Sequence, residues 1–185
     1  MGKVRQSVMC GRMFGHDTSQ ISVVEAAIAS LSARATFRLR KEQLLARSAT
    51  VFLSTNRHKP GYQRLSRSIN FRTPTADTGL ITAQLMAALE PIFNTQASYH
   101  RTNVLLHNLI SQRALQVDFF GEINVASSQA AIARLSAFDA LNIRYGRNTI
   151  RYAAEDLSDV WEPKHGYRSP RYTSAWDELP VAHVY

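Results

Sequence analysis

The sequence predicts an α+β fold: a four-stranded antiparallel sheet with two helices on one face, in the order β-α-β-β-α-β, followed by a small, partly irregular C-terminal region. Three observations predict it. Apolar residues recur at helical spacing in two stretches and alternate with period two in others. Polar turn sequences separate these stretches. The excess positive charge stops where the regular pattern stops: Met1 to Gln112 carries 14 Lys/Arg against 5 Asp/Glu, a net +9, whereas Arg113 to Tyr185 carries 8 against 9, a net −1.

Ser7 to Phe14 reads as a short strand ended by Gly15-His16-Asp17. Ser22 and Glu25 have the spacing of a capping box, and Val24, Ala27, Ile28, Leu31, Ala35 and Leu39 follow on one helical stripe. The run Arg38-Leu39-Arg40-Lys41 suits a helix C-terminus, where cations meet the negative end of the dipole, and needs no ligand to explain it. Arg47 to Thr55 is the second strand, Asn56 to Gly61 a turn, and Ser66 to Thr73 the third strand. In that third strand Arg67, Ile69 and Phe71 take one face, and Ser66, Ser68, Asn70 and Arg72 the other. Thr73 to Asp77 starts the second helix. Its apolar residues Leu80, Ile81, Leu85, Ala88, Leu89 and Ile92 follow at helical spacing, and Pro91 should end it. Tyr99 to Ile110 is the last strand, with Val104, Leu106 and Ile110 on one side and Leu105, His107 and Leu109 on the other. Beyond it, Glu122 to Ser128 reads as a linker and Ala131, Leu135, Phe138 and Leu141 as a helical stripe capped by Ser127 or Ser128. Thr149 to Tyr152 reads as a short strand, and an aromatic, proline-containing tail begins at Trp161.

A chain of 185 residues suits one ordinary domain plus an appendage. The single Cys10 allows no internal disulfide, so nothing argues for an oxidising compartment. No apolar run approaches the roughly 20 residues of a membrane helix, and Met1 to Gln6 lacks the apolar core of a signal peptide, so a cytoplasmic protein without membrane partners is expected. There is no glycine-rich phosphate loop, nucleophile elbow or zinc-like Cys/His spacing. His107 reads as a satisfied sheet histidine, and Glu155, Asp156, Asp159 and Glu162 as a solvated face rather than a metal site. The basic first part points to a polyanion, most simply nucleic acid.

At the charge boundary stands Gln116-Val117-Asp118-Phe119-Phe120. Two readings fit it: Phe119 and Phe120 close the core of the preceding domain, or the stretch is a linear peptide that lays both rings in an apolar groove on a partner.

Six motifs in order carry a family resemblance: Cys10 to Gly15, Phe52 to Thr55, Thr73 to Thr78, Gln116 to Phe120, Leu141 to Gly146 and Ser169 to Trp176. Through them the chain, from about Ser7 to Ala182, resembles the C-terminal portion of UmuC-type catalytic subunits of bacterial DNA polymerase V, Y-family translesion polymerases. The resemblance implies a leader over 1–6, a little-finger DNA-binding domain over 7–112, a clamp-binding peptide and linker over 113–128, and a UmuC-type C-terminal domain over 129–185. It implies that Gln116, Val117, Asp118, Phe119 and Phe120 dock on the bacterial sliding clamp and that the first domain grips template-primer DNA in SOS-dependent lesion bypass, with Arg57, Lys59, Arg64, Arg67, Arg72 and Arg101 as the phosphate contacts expected on that reading. A UmuD-type accessory subunit and a recombinase filament are further implied partners. The likeness does not reach the palm, fingers or thumb. No cofactor is therefore expected here, since the family's Mg belongs to the palm, and no autonomous polymerase activity is expected either. Tyr99 to Val104 lacks the Ala-Gly pair usual before the Val, and Trp161-Glu162-Pro163 departs from the usual tail. Two other readings stand beside this one: a non-catalytic regulator competing for the clamp or accessory subunits, and a stand-alone RNA-binding module, against which the strands lack an exposed aromatic pair.

Overall fold

Strand β1 (Ser7–Thr18) buries Val8, Cys10 and Phe14 and turns Ser7, Met9, Gly11 and Met13 the other way. The computed structural model describes residues 5–112, 125–155 and 169–179. β1 runs past the expected turn: Met13 pairs with Arg101 and Thr18 with Tyr99, so Gly15-His16-Asp17 is absorbed as a bulge instead of ending the strand. Only Ser19 and Gln20 then remain before helix α1 (Ile21–Lys41). Ser22 already lies in the first turn, and the expected capping box does not form. The Gln20 N–H donates to Thr18 Oγ1 at 3.1 Å, and Gln20 caps without a side-chain bond.

The remaining elements are β2 (Leu44–Thr55), β3 (Arg64–Thr75), α2 (Thr78–Leu89) and β4 (Tyr99–Ser111). Asp77 caps α2, its Oδ1 accepting the Leu80 N–H at 3.0 Å. Pro91 ends the helix in a single 3₁₀ turn, Glu90–Ile92. The strand order is β1-β4-β2-β3, every neighbouring pair antiparallel. Both helices lie on one face, α1 over β1, β4 and β2 and α2 over β2 and β3. The core between the layers holds Tyr99, Ile28, Leu31, Leu53, Leu85 and Leu106 among its fully buried side chains, each aliphatic one contributing about 1.5–3 kcal/mol by leaving water. Tyr99 stays satisfied there because its hydroxyl accepts the Asn94 N–H at 2.9 Å.

One irregularity corrects the expected alternation of β4. Ala46 pairs with Leu109 and Ala49 with Leu106, and all four pack on the helix side although they lie an odd number of positions, three, apart along each strand. Asn108 at φ +54° supplies the flip, in the left-handed region that Asn tolerates better than most residues. Leu109 therefore joins the core rather than the face of Leu105 and His107.

Helix α3 (Val125–Tyr145) begins inside the expected linker, and Ser127 and Ser128 fall within its first turn instead of capping it. Leu135 is buried, and the Phe138 ring meets Tyr152 at 5.2 Å between centroids. Arg40 reaches from α1 to hold it: Nε and Nη2 donate to Asp139 Oδ2 and Oδ1 at 2.6 and 2.7 Å, and Nη1 donates to the Ala76 carbonyl and Thr78 Oγ1, both at 2.9 Å. The end of the basic run thus has a specific partner as well as a favourable dipole. Thr149 to Tyr152 forms no strand. The Asn142 side-chain amide accepts the Ile150 N–H at 2.9 Å and donates to its carbonyl at 3.1 Å, so both backbone groups are satisfied without a neighbouring strand. Glu155 is 7 % exposed in a 3₁₀ turn packed on α1, not on a solvated face. Its three expected acidic neighbours lie outside the described residues.

Candidate nucleic-acid interface

The helices cover one face of the sheet and leave the other open. Register places the open face in four rows read across β1, β4, β2 and β3: Ser7-His107-Ser48-Asn70, Met9-Leu105-Thr50-Ser68, Gly11-Asn103-Phe52-Ser66, and Met13-Arg101-Ser54-Arg64. No Asp or Glu occurs in any row.

Hydrogen bonds tie the rows across strands. Thr50 Oγ1 meets the Ser68 hydroxyl at 2.8 Å and His107 Nε2 at 3.0 Å, which satisfies the histidine as expected from the sequence. Arg101 donates from Nε to Asn103 Oδ1 at 3.1 Å. Asn103 in turn lies across Gly11, where an added Cβ would come within 1.8 Å of Oδ1. The glycine makes room for the amide, and the amide orients the guanidinium. In the same region Arg64 stacks over Phe52 at 5.2 Å from the ring centroid, which holds a second cation on the face.

The six cations singled out in the sequence fall into three groups. Arg64 and Arg101 share one row, on either side of Ser54. Arg57 and Lys59 lie exposed in the β2–β3 loop beyond that row, with Lys59 Nζ 2.8 Å from Asp17 Oδ2. Asp17 also sits 2.6 Å from His100 Nδ1. The Lys59 hydrogen bond, followed by that of His100, holds the Asp17 carboxyl below the usual carboxylate range. Arg72 stands at the opposite end of the sheet, on the rim of an open depression of about 440 Å³ that Arg47 also lines. Arg67 is not brought to the open face: it pairs with Val51, between Leu65 and Ile69, on the helix side of edge strand β3. Gln116 to Phe120 lie outside the described residues.

Sequence reasoning missed Arg47, Asn103, Phe52 and Gly11. Only the pairing register reveals that Gly11 faces Asn103 and Phe52 lies beside Arg64. Among the described residues no group of three or more His, Cys, Asp or Glu is arranged to hold a metal ion, and no helix is long and apolar enough to cross a membrane. Burial pushes the Cys10 thiol up, away from the thiolate a nucleophile needs.

Fold and face together define a two-layer α+β module whose basic sheet surface is open to a ligand. Residues 5–119 match the impB/mucB/samB family C-terminal domain, and residues 135–182 match a domain of unknown function, DUF4113. The chain belongs to the impB/mucB/samB family. Protein UmuC of Salmonella typhimurium is 28% identical over 178 residues, covering 95% of this chain and 42% of the relative. Protein SamB of the same organism is 26% identical over 181 residues, covering 96% of this chain and 42% of the relative. Among solved structures, the complex of the beta-clamp processivity factor and the little finger domain of PolIV aligns with a TM-score of 0.46 at 19% identity, over 61% of this chain and 97% of that one. The chain thus spans 42% of the length of these two relatives.

Proposed function

We propose that this chain is the DNA- and clamp-binding C-terminal portion of an error-prone translesion polymerase, gripping template-primer DNA during lesion bypass in the bacterial cytoplasm, with the chemistry performed by a catalytic palm outside it. Family membership supports the polymerase assignment. The observation that carries the DNA reading is the acid-free open face with Arg64 and Arg101 in one row. Arg101 is aimed by Asn103 and Arg64 by Phe52, so both cations reach a phosphate with less side-chain ordering still to do. Arg57, Lys59 and Arg72 extend the contact to either end, and Arg67 stays outside it. Such contacts hold backbone and read little sequence.

If about five phosphates are neutralised, log affinity falls against log salt with a slope of about −4 to −5. Fluorescence anisotropy of a labelled primer-template across a salt series measures it, and a slope near zero sinks the reading.

The clamp contact is carried by Gln116 to Phe120. Burying Phe119 and Phe120 contributes about 3–6 kcal/mol before ordering costs, against the ~8 of micromolar affinity. The peptide alone is a weak binder, and DNA contact raises its effective concentration at the clamp. Replacing both by Ala abolishes clamp capture on primed DNA and leaves DNA affinity within a few fold. Unchanged capture refutes the assignment.

A further inference from the structure

The geometry points to a single-phosphate subsite in the depression between Arg47 and Arg72, taking one phosphodiester of a nucleic-acid backbone; it rests on the reading of the open face as the DNA surface. The depression exists because the sheet is irregular there. Between β2 and β3 the register slips: Ser48 pairs with Asn70, but Ala46 pairs with Thr75, so extra β3 residues bow away from β2. The left-handed Asn108 on the other side kinks β4 at the same level. These two irregularities open about 440 Å³ lined by Arg47, Ser48, Asn70, Arg72 and Asn108 over Phe71.

The polar groups in it present donors. Asn108 Nδ2 donates to Ser48 Oγ at 2.9 Å, and Ser48 Oγ donates to Asn70 Oδ1 at 2.8 Å. Ser48 is 2% exposed, so this relay is fixed. With its carbonyl oxygen held by Ser48, Asn70 must turn its NH₂ outward. Two guanidiniums and one oriented amide then face the same space. No acidic residue lines it, and neither Arg47 nor Arg72 has an ion-pair partner among the described residues. A carboxylate-free site with two guanidinium forks fits a tetrahedral oxyanion bearing at least two free oxygens. On a sheet face with cations also at its far end, a backbone phosphodiester meets that description and brings the face a second anchor.

The test measures primer-template binding by the full chain between about 50 and 200 mM salt, a range over which phosphate contacts dominate the change in affinity. Arg47→Gln and Arg72→Gln each weaken binding about tenfold and flatten the slope by about 1. The double variant flattens it by about 1 as well, because both forks serve one phosphate. Arg47→Lys keeps the slope and loses affinity, since the charge survives and the fork does not. Asn70→Ala also weakens binding without changing the slope. A steep wild-type slope left untouched by Arg47→Gln and Arg72→Gln overturns the subsite and leaves the DNA face standing. A wild type with no salt-dependent binding overturns the face itself. Inorganic phosphate supplies the second arm: saturable shifts of the Asn70 side-chain NMR signals with phosphate, unaccompanied by competition against DNA, assign the pocket to a free anion and overturn the backbone assignment. Thermal melts of each variant matching the wild type establish that the effects are local.

Discussion

Replacing Asp139 by Ala removes the acceptor of both charge-assisted bonds that join α3 to the end of α1. Both side chains are 15% exposed, which places the pair between two regimes. Exposed pairs contribute about 0–1 kcal/mol, whereas stripping one partner from a buried pair costs about 3–5 kcal/mol. Arg40 is not abandoned by the change, because Nη1 keeps the Ala76 carbonyl and Thr78 Oγ1. The expected cost is therefore about 2 kcal/mol, drawn from the docking of α3 rather than from the sheet. Arg40→Ala costs more, about 3 kcal/mol, since it also strands the Ala76 carbonyl. Thr78 is spared, its hydroxyl lying 2.7 Å from that of Thr36. Native-state hydrogen exchange reads the difference directly. A loss of about 2 kcal/mol speeds exchange of α3 amides by roughly 30-fold, while amides of central strands β2 and β4 keep their protection. Equal acceleration throughout the chain, or none in α3, refutes the idea that this fork is what docks the helix.

Two further outcomes are expected. Gly11→Ala drives the Asn103 amide from its place and releases the Arg101 guanidinium, so primer-template affinity drops several-fold while the melting temperature changes by only a few degrees; unaltered affinity would show that Arg101 needs no orienting. Burial raises the Glu155 carboxyl above its ordinary range, against the Tyr152 N–H and the charges of Arg151 and Arg34. A raised folded value means that stability is lost as pH rises through it and is fully present below the ordinary value of about 4.3. Glu155→Gln keeps an acceptor oxygen for Tyr152 and removes the charge. It stabilises the protein at neutral pH, and the gain shrinks to nothing as the pH is lowered towards 4; a variant less stable at neutral pH would contradict the assigned cause.

What was legible in the sequence was local in origin. The stripe from Val24 to Leu39 and the alternation of Ala49, Val51 and Leu53 repeat over enough residues to fix element type, and Asp77 and Pro91 mark the ends of α2 by their own chemistry. The misreadings arise where one residue changes the phase of a pattern or a distant segment supplies the partner. Asn108 inverts the alternation of β4 by its backbone angle alone, and nothing in the run Leu105 to Ile110 announces that choice over a regular strand. Thr149 to Tyr152 reads in sequence as a short strand, yet Asn142 satisfies the Ile150 backbone from a helix. Glu155 looked solvated because its neighbours in sequence are acidic, whereas its burial is decided by α1. For the interface, residue type nominated the arginines and the alternation of β3 already set Arg67 on the face opposite Arg72, but only strand register placed Arg64 and Arg101 in one row.

The anchorage of α3 has a consequence for assembly. Arg40 of α1 receives it, itself braced by the Ala76 carbonyl and the Thr78 hydroxyl, so α3 is carried by the layer that the sheet has already used to bury its other side. A protein seated on α3 and a nucleic acid seated on the sheet would occupy opposite sides of one small domain and would not compete for surface. Two such ligands would bind without either having to reshape the other's seat, and the thickness of two packed layers would set their separation.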